Sequence, residues 1–133
     1  QSTSCPNSIA QYAAIEALIG DQSQVLEMAN IFKKRRDLIV NSLNSIKHVT
    51  CDMPMGAFYV FPNIKFFIGK EYKGKKIKSA SDLSLLLLKE KFVVTVSGDA
   101  FGAPENIRFS YAVSEQTINK TMERIESLFS LIK

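Results

Sequence analysis

Histidine is nearly absent from this sequence: among 133 residues only His48 is one. Cysteine is almost as scarce, with Cys5 and Cys51 far apart and in no CxxC or Cys/His pattern. These two shortages argue against a structural zinc site and against a disulfide framework, and they fit reduced thiols in a cytoplasmic protein. Nucleophile-and-base chemistry needs a base, and His48 falls at a helix-to-strand junction, a place for a surface residue rather than a catalyst. Carboxylates do not pair at a useful spacing, and neither G-x-x-x-x-G-K-[ST] nor G-x-G-x-x-G occurs. The longest tight apolar run, "LLLL" at 85–88, is far shorter than a bilayer requires. The opening "QSTSCPNS" lacks the basic and then apolar pattern of a signal peptide, and it lacks an initiating methionine, as a piece of a longer chain would.

What is present describes one folded domain. An apolar share of 46% is that of a globular protein, and a core of this size needs no metal or disulfide. The net charge is +4, but the stretch from Lys65 to Lys78 carries six lysines against Glu71, or +5, leaving about −1 for the rest. The basicity is therefore one loop, read as a solvated insertion. Nucleic-acid binding would call for a broader basic face interleaved with aromatics. An anion-binding module built on Lys65–Lys78 is the lesser alternative.

The periodicities predict the order α-α-β-β-α-β-β-α. Ser8 is a candidate cap for "IAQYAAIEALI", with Ile9, Tyr12, Ala13 and Leu18 at helical spacing and Gly20 as the stop. A long second helix starts near Gln22 and carries Val25, Met28, Phe32, Ile39, Leu43 and Ile46. "HVTCD" (48–52) and "GAFYVFP" (56–62) read as strands. Ser79 or Ser81 caps "DLSLLLLKEK", and "FVVTVS" (92–97) reads as a buried strand. "GDAFGAPEN" is a loop, "IRFSYAV" the last strand, and Ser114 caps a final helix with Ile118, Met122, Ile125, Leu128, Phe129 and Ile132 on one face. This order predicts an α/β two-layer sandwich, a small three- to four-stranded sheet covered on one face by helices.

The last strand holds the best chemical candidate. Ile107, Phe109 and Tyr111 alternate with Arg108, Ser110 and Ala112, so one face is core and the other presents a guanidinium between small residues. A guanidinium is always charged and matches a carboxylate through two parallel hydrogen bonds. Spacing alone favours a structural ion pair or a side chain snorkelling to the sheet edge, with ligand binding as the other reading.

The order of motifs adds to this. "SIAQYAAIEAL", "RRDLIVNSLN", "MGAFYVFPN" and "SGDAFGAPENIRFSYAVS", followed by the amphipathic helix, resemble the C-terminal portion of class I aminotransferases, pyridoxal-phosphate enzymes of the bacterial aspartate aminotransferase type. The resemblance runs over essentially the whole chain. It implies the small domain of that fold at 21–133, including the long connecting helix, with 1–20 as a lead-in segment and helix from the large-domain side, whose polar start "QSTSCPNS" resembles a segment that runs near the active site across the dimer interface. It implies that Arg108 binds the α-carboxylate of amino-acid and 2-oxo-acid substrates, with Phe101 and Gly102 beside it. It implies a cytoplasmic homodimer acting on aspartate and 2-oxoglutarate, without nucleic-acid or membrane partners. An aromatic or prephenate-directed relative is the alternative. The Schiff-base lysine of the family lies in a Ser-Lys motif, and this sequence has no Ser-Lys dipeptide. No catalytic or cofactor-binding residue is therefore expected here, nor pyridoxal phosphate bound to this chain, nor activity from it alone. Departures from the family pattern are Ser97 where proline is frequent, Asp99 within the loop, and Cys5 where asparagine is common before Pro6.

Overall fold

The structure is a computed structural model that describes residues 4–133, so the first three residues of "QSTSCPNS" lie outside the described residues. The chain divides into two units between Ile31 and Phe32.

The first unit holds α1 (Ser8–Ile19) and the beginning of α2 (Ser23–Ser45). The cap of α1 is Asn7, one residue before the serine the sequence suggests: its side-chain oxygen accepts from the amides of Ile9 (2.9 Å) and Ala10 (3.4 Å). Gly20 ends the helix by donating its amide to the Glu16 carbonyl at 2.9 Å. Asp21 then accepts from the Ser23 amide and hydroxyl, and these bonds pull its carboxyl below the usual range. Four alanines and capped ends make α1 a good helix locally. Its apolar residues are nevertheless unburied: Ile9 is 77% and Leu18 80% exposed, and Tyr12 and Ile19 are similar. The helix was legible, but its apolar residues lie all around it and mark no core in this unit.

The second unit contains the core. From Phe32 onward α2 buries Ile39, Val40 and Leu43, while Arg36 pairs with Asp37 at 2.7 Å. The main sheet has three strands, β1 (Tyr59–Val60), β4 (Val96–Ser97) and β5 (Ile107–Ser110), in the order β1-β5-β4 with both pairings antiparallel. One face carries Val60, Ile107 and Phe109. These join Leu83 and Leu87 of α3 (Ala80–Lys91), Ile118, Ile125 and Leu128 of α4 (Glu115–Phe129) and Leu43 of α2 in a single cluster. Helices thus cover one sheet face, the expected two-layer α/β arrangement. Ser79 and Ser114 cap α3 and α4 by accepting from the amides of Asp82 (3.2 Å) and Thr117 (3.1 Å).

Three local readings differ from the sequence. In 48–52 only Thr50 pairs, in an isolated bridge to Asn63, because the chain leaves α2 through His48 at a positive φ of 68°. The "FVVTVS" run is strand only at its end. Phe92 occupies the left-handed position that closes α3, and both it (79%) and Val94 (77%) are exposed. The lysine loop is ordered: β2 (Glu71–Tyr72) and β3 (Lys75–Lys76) form an antiparallel hairpin whose turn, Lys73–Gly74, has positive φ at both residues, as tight hairpins require. Part of its charge is paired, Lys65 with Glu105 and Lys73 with Glu90, each at 2.8 Å. These are exposed pairs that solvent and salt screen, so they add little to stability. No helix of the described residues is long and apolar enough to cross a membrane.

Burial decides which apolar positions matter for stability. Leu87→Ala, at a fully buried site, is expected to cost about 2–5 kcal/mol. Leu18→Ala, 80% exposed, should change the stability of this chain by no more than about 0.5 kcal/mol. Urea titrations of the two variants check this, and equal destabilisation would contradict the burial assigned to α1.

Candidate functional site

The uncovered sheet face is built by strand register. Arg108 on β5 lies opposite Val96 on β4, and Tyr59 on β1 lies opposite Ser110. Tyr59 and Arg108 are therefore diagonal cross-strand neighbours on the same face, a separation that long side chains bridge. The Arg108 guanidinium carbon lies 4.3 Å from the centre of the Tyr59 ring, over its face. It also lies 4.4 Å from the centre of the Phe101 ring, which comes from the turn after β4. One ring thus arrives from each strand flanking β5. Phe61 meets Phe101 edge-on, with centres 6.0 Å apart and planes at 88°, and braces it.

Arg108 has no ion pair and no side-chain hydrogen bond among the described residues, so the structural salt bridge favoured by spacing is not formed within them. Its aromatic neighbours hold it by dispersion and cation–π attraction while consuming none of its N–H donors. The arrangement can take a planar anion at the guanidinium edge. Two surface grooves, of about 320 and 370 Å³, lie elsewhere; one is between the hairpin and α3, the other around His48 and Phe66, and Arg108 lines neither. Arg108 itself is half-buried on the sheet face opposite the helices.

The loop before β5 has a geometry that only its glycines allow. The turn Gly98–Phe101 folds back on the strand so closely that a Cβ on Gly98 would collide with the carbonyl oxygens of Ala103 and Asn106. The same approach is held by bonds from the Gly98 amide to Asn106 (2.8 Å) and from the Ala103 amide to Gly98 (3.0 Å). Gly102 closes the turn at φ 73°, which fixes the residue before it, Phe101. Ser97 has φ −60°, the angle a proline would impose, so this position suits either residue. The Asp99 carboxylate accepts from the hydroxyls of Ser97 (2.6 Å) and Ser81 (3.2 Å) and makes no ion pair with Arg108. On the other side, Tyr111 donates its hydroxyl to the Ala57 carbonyl at 2.8 Å and its amide to Phe58 at 2.9 Å, which fastens the approach to β1 against β5. Burial pushes the Tyr111 phenol up, so it stays a donor through neutral pH.

The structure brings Arg108 and Phe101 together and places Gly102 next to them as a backbone hinge. Sequence reasoning missed Tyr59, reading "GAFYVFP" (56–62) only as a strand. The signal that could have found it is the pairing register. Lys65 and Lys73 are held in their charged form, pushed up by hydrogen bonds to Glu105 and Glu90. Among the described residues no group of three or more His, Cys, Asp or Glu could hold a metal.

Comparison with known proteins places these features in context. A family model, "Aminotransferase class I and II", matches residues 1–125. A probable aspartate/prephenate aminotransferase of Rhizobium leguminosarum bv. phaseoli is 46% identical over 127 residues, 95% of this chain and 32% of that protein. An aspartate aminotransferase of Rhizobium meliloti (strain 1021) is 44% identical, over 94% of this chain and 31% of that one. The crystal structure of the aspartate aminotransferase from Rhizobium meliloti superposes with a TM-score of 0.95 at 41% identity, covering 100% of this chain and 34% of that one. An aromatic aminotransferase from Pyrococcus horikoshii OT3 gives 0.81 at 35% identity, covering 95% and 32%. The chain thus spans about a third of the length of the relatives it matches.

Gly98→Ala is expected to cost about 2–3 kcal/mol, because backbone oxygens cannot yield as a flexible side chain could. It should also move the Phe101 ring resonances in an NMR spectrum. A variant with unchanged stability and spectrum would contradict the close approach.

Proposed function

The chain belongs to the aminotransferase class I and II family, and from that premise we propose that it is the part of an aspartate aminotransferase that receives the α-carboxylate of the substrate, on Arg108. One observation carries this reading: a guanidinium fixed between Tyr59 and Phe101 with its hydrogen-bonding edges unclaimed among the described residues. A strand-mounted, ring-clamped arginine has little freedom left to lose on binding, which favours recognition of a planar carboxylate. Phe101 bounds the site, and Gly102 sets the turn that presents it.

The whole enzyme exchanges an amino group between aspartate and 2-oxoglutarate, as a cytoplasmic homodimer. Pyridoxal phosphate supplies the electron sink in such enzymes. The Ser-Lys motif that carries the family's imine-forming lysine is absent from this sequence, so the contribution of this chain is to bind and orient. The exposed apolar residues of α1 support the same reading, because a helix apolar all round is normally covered in a larger body. A second reading, an aspartate/prephenate aminotransferase, is supported by the names of the relatives at 46% identity. Arg108 serves both, because every amino acid carries an α-carboxylate.

In the whole enzyme, Arg108→Leu should raise KM and lower kcat, with kcat/KM falling by the equivalent of about 2–5 kcal/mol, the cost of losing a desolvated charged contact. Steady-state kinetics with aspartate check this, and unchanged constants would overturn the assignment. The 133-residue chain alone should give no turnover in a coupled aspartate/2-oxoglutarate assay with added pyridoxal phosphate. Turnover there would refute the division of labour proposed above.

A further inference from the structure

The two rings around Arg108 do more than hold it. Ring centres at 4.3 and 4.4 Å from the guanidinium carbon leave no room for an anion between the guanidinium and either ring. An incoming oxyanion must approach along the guanidinium edge, in a slot walled by Tyr59 from the β1 side and by Phe101 from the β4 side. A carboxylate suits that slot, because its two oxygens, its carbon and the attached Cα all lie in one plane. A phosphonate or sulfonate does not. When two of its oxygens meet the guanidinium, the third oxygen and the carbon substituent stand above and below the plane, toward the rings.

We propose that Tyr59 and Phe101 are positioning residues that make Arg108 selective for planar carboxylates over tetrahedral oxyanions. The proposal rests on the reading of Arg108 as the substrate's carboxylate receiver. It extends that reading from affinity to specificity: the arginine supplies attraction for any anion, and the rings decide its shape. Tyr59 acts here through its ring face, since its hydroxyl makes no side-chain hydrogen bond to Arg108. Phe101 is 48% exposed and can be changed without opening the core.

The test uses the whole enzyme and two probes, aspartate and its analogue with a phosphonate in place of the α-carboxylate, with dissociation constants measured by competition. Phe101→Leu and Tyr59→Leu should each weaken aspartate by about three- to tenfold, the scale of one cation–π contact, and leave the phosphonate equal or tighter. The carboxylate preference therefore narrows by at least that factor. Tyr59→Phe keeps the ring and should keep the wild-type preference. Equal weakening of both probes would overturn the proposal, because the rings would then add affinity without reading shape; so would a preference that does not move. Loss of the preference in Tyr59→Phe would also overturn it, by shifting the effect to the hydroxyl. Arg108→Leu separates the underlying reading from its extension. Weakening of both probes is the expected result, as both oxyanions need the guanidinium, whereas unchanged aspartate binding removes the carboxylate receiver and the proposal with it.

Discussion

Alternation along β5 is the constraint on which the rest of the site depends. Ile107, Phe109 and Tyr111 are at most 4% exposed and lock one face of the strand into the core, so the residues between them must face the other way. A slip of one residue would bury a guanidinium and expose three large apolar side chains. The helices enforce the register from one side, with Leu83, Leu87, Ile118 and Ile125 all essentially inaccessible. Arg108 is held in place by the cost of every other arrangement, not by a bond of its own.

The surroundings of the arginine follow from the same strand. Its antiparallel neighbours deliver one ring each, Tyr59 through the β1 register and Phe101 through the turn that Gly98 and Gly102 permit. Small residues, Ser110 and Ala112, continue the open face. A charge in this setting is partly desolvated by aromatic carbon yet unneutralised by any protein carboxylate among the described residues, a combination that suits recognition better than stability. Asp99, the acid in the same turn as Phe101, is engaged by Ser97 and Ser81.

Much of this was legible in the sequence because period and punctuation are local. The alternation of 107–112, the glycine-rich loop before it, the capping serines Ser79 and Ser114, and the stripe of α4 all depend on neighbours a few residues apart. The likeness to class I aminotransferases rested on the same stretches. What escaped depends on distance. That α1 buries nothing in this chain cannot be read from its apolar content, which does not say what covers it. The Lys73–Gly74 hairpin hid in a run dominated by charge, because its pairing needs positive φ at a lysine, where composition points elsewhere. Tyr59 escaped because its nearness to Arg108 comes from the pairing of Tyr59 with Ser110, two segments some fifty residues apart. The unpaired state of Arg108 escaped for a related reason: spacing cannot show where carboxylates lie in space.

The most direct measurement is a crystal structure of the whole enzyme with a substrate-like dicarboxylate bound. The expected result is the α-carboxylate at the edge of the Arg108 guanidinium, with two nitrogen–oxygen distances of about 2.7–2.9 Å and the Tyr59 and Phe101 rings still on its faces. An Arg108 paired instead with a carboxylate of the protein, and a substrate carboxylate bound elsewhere, would contradict it.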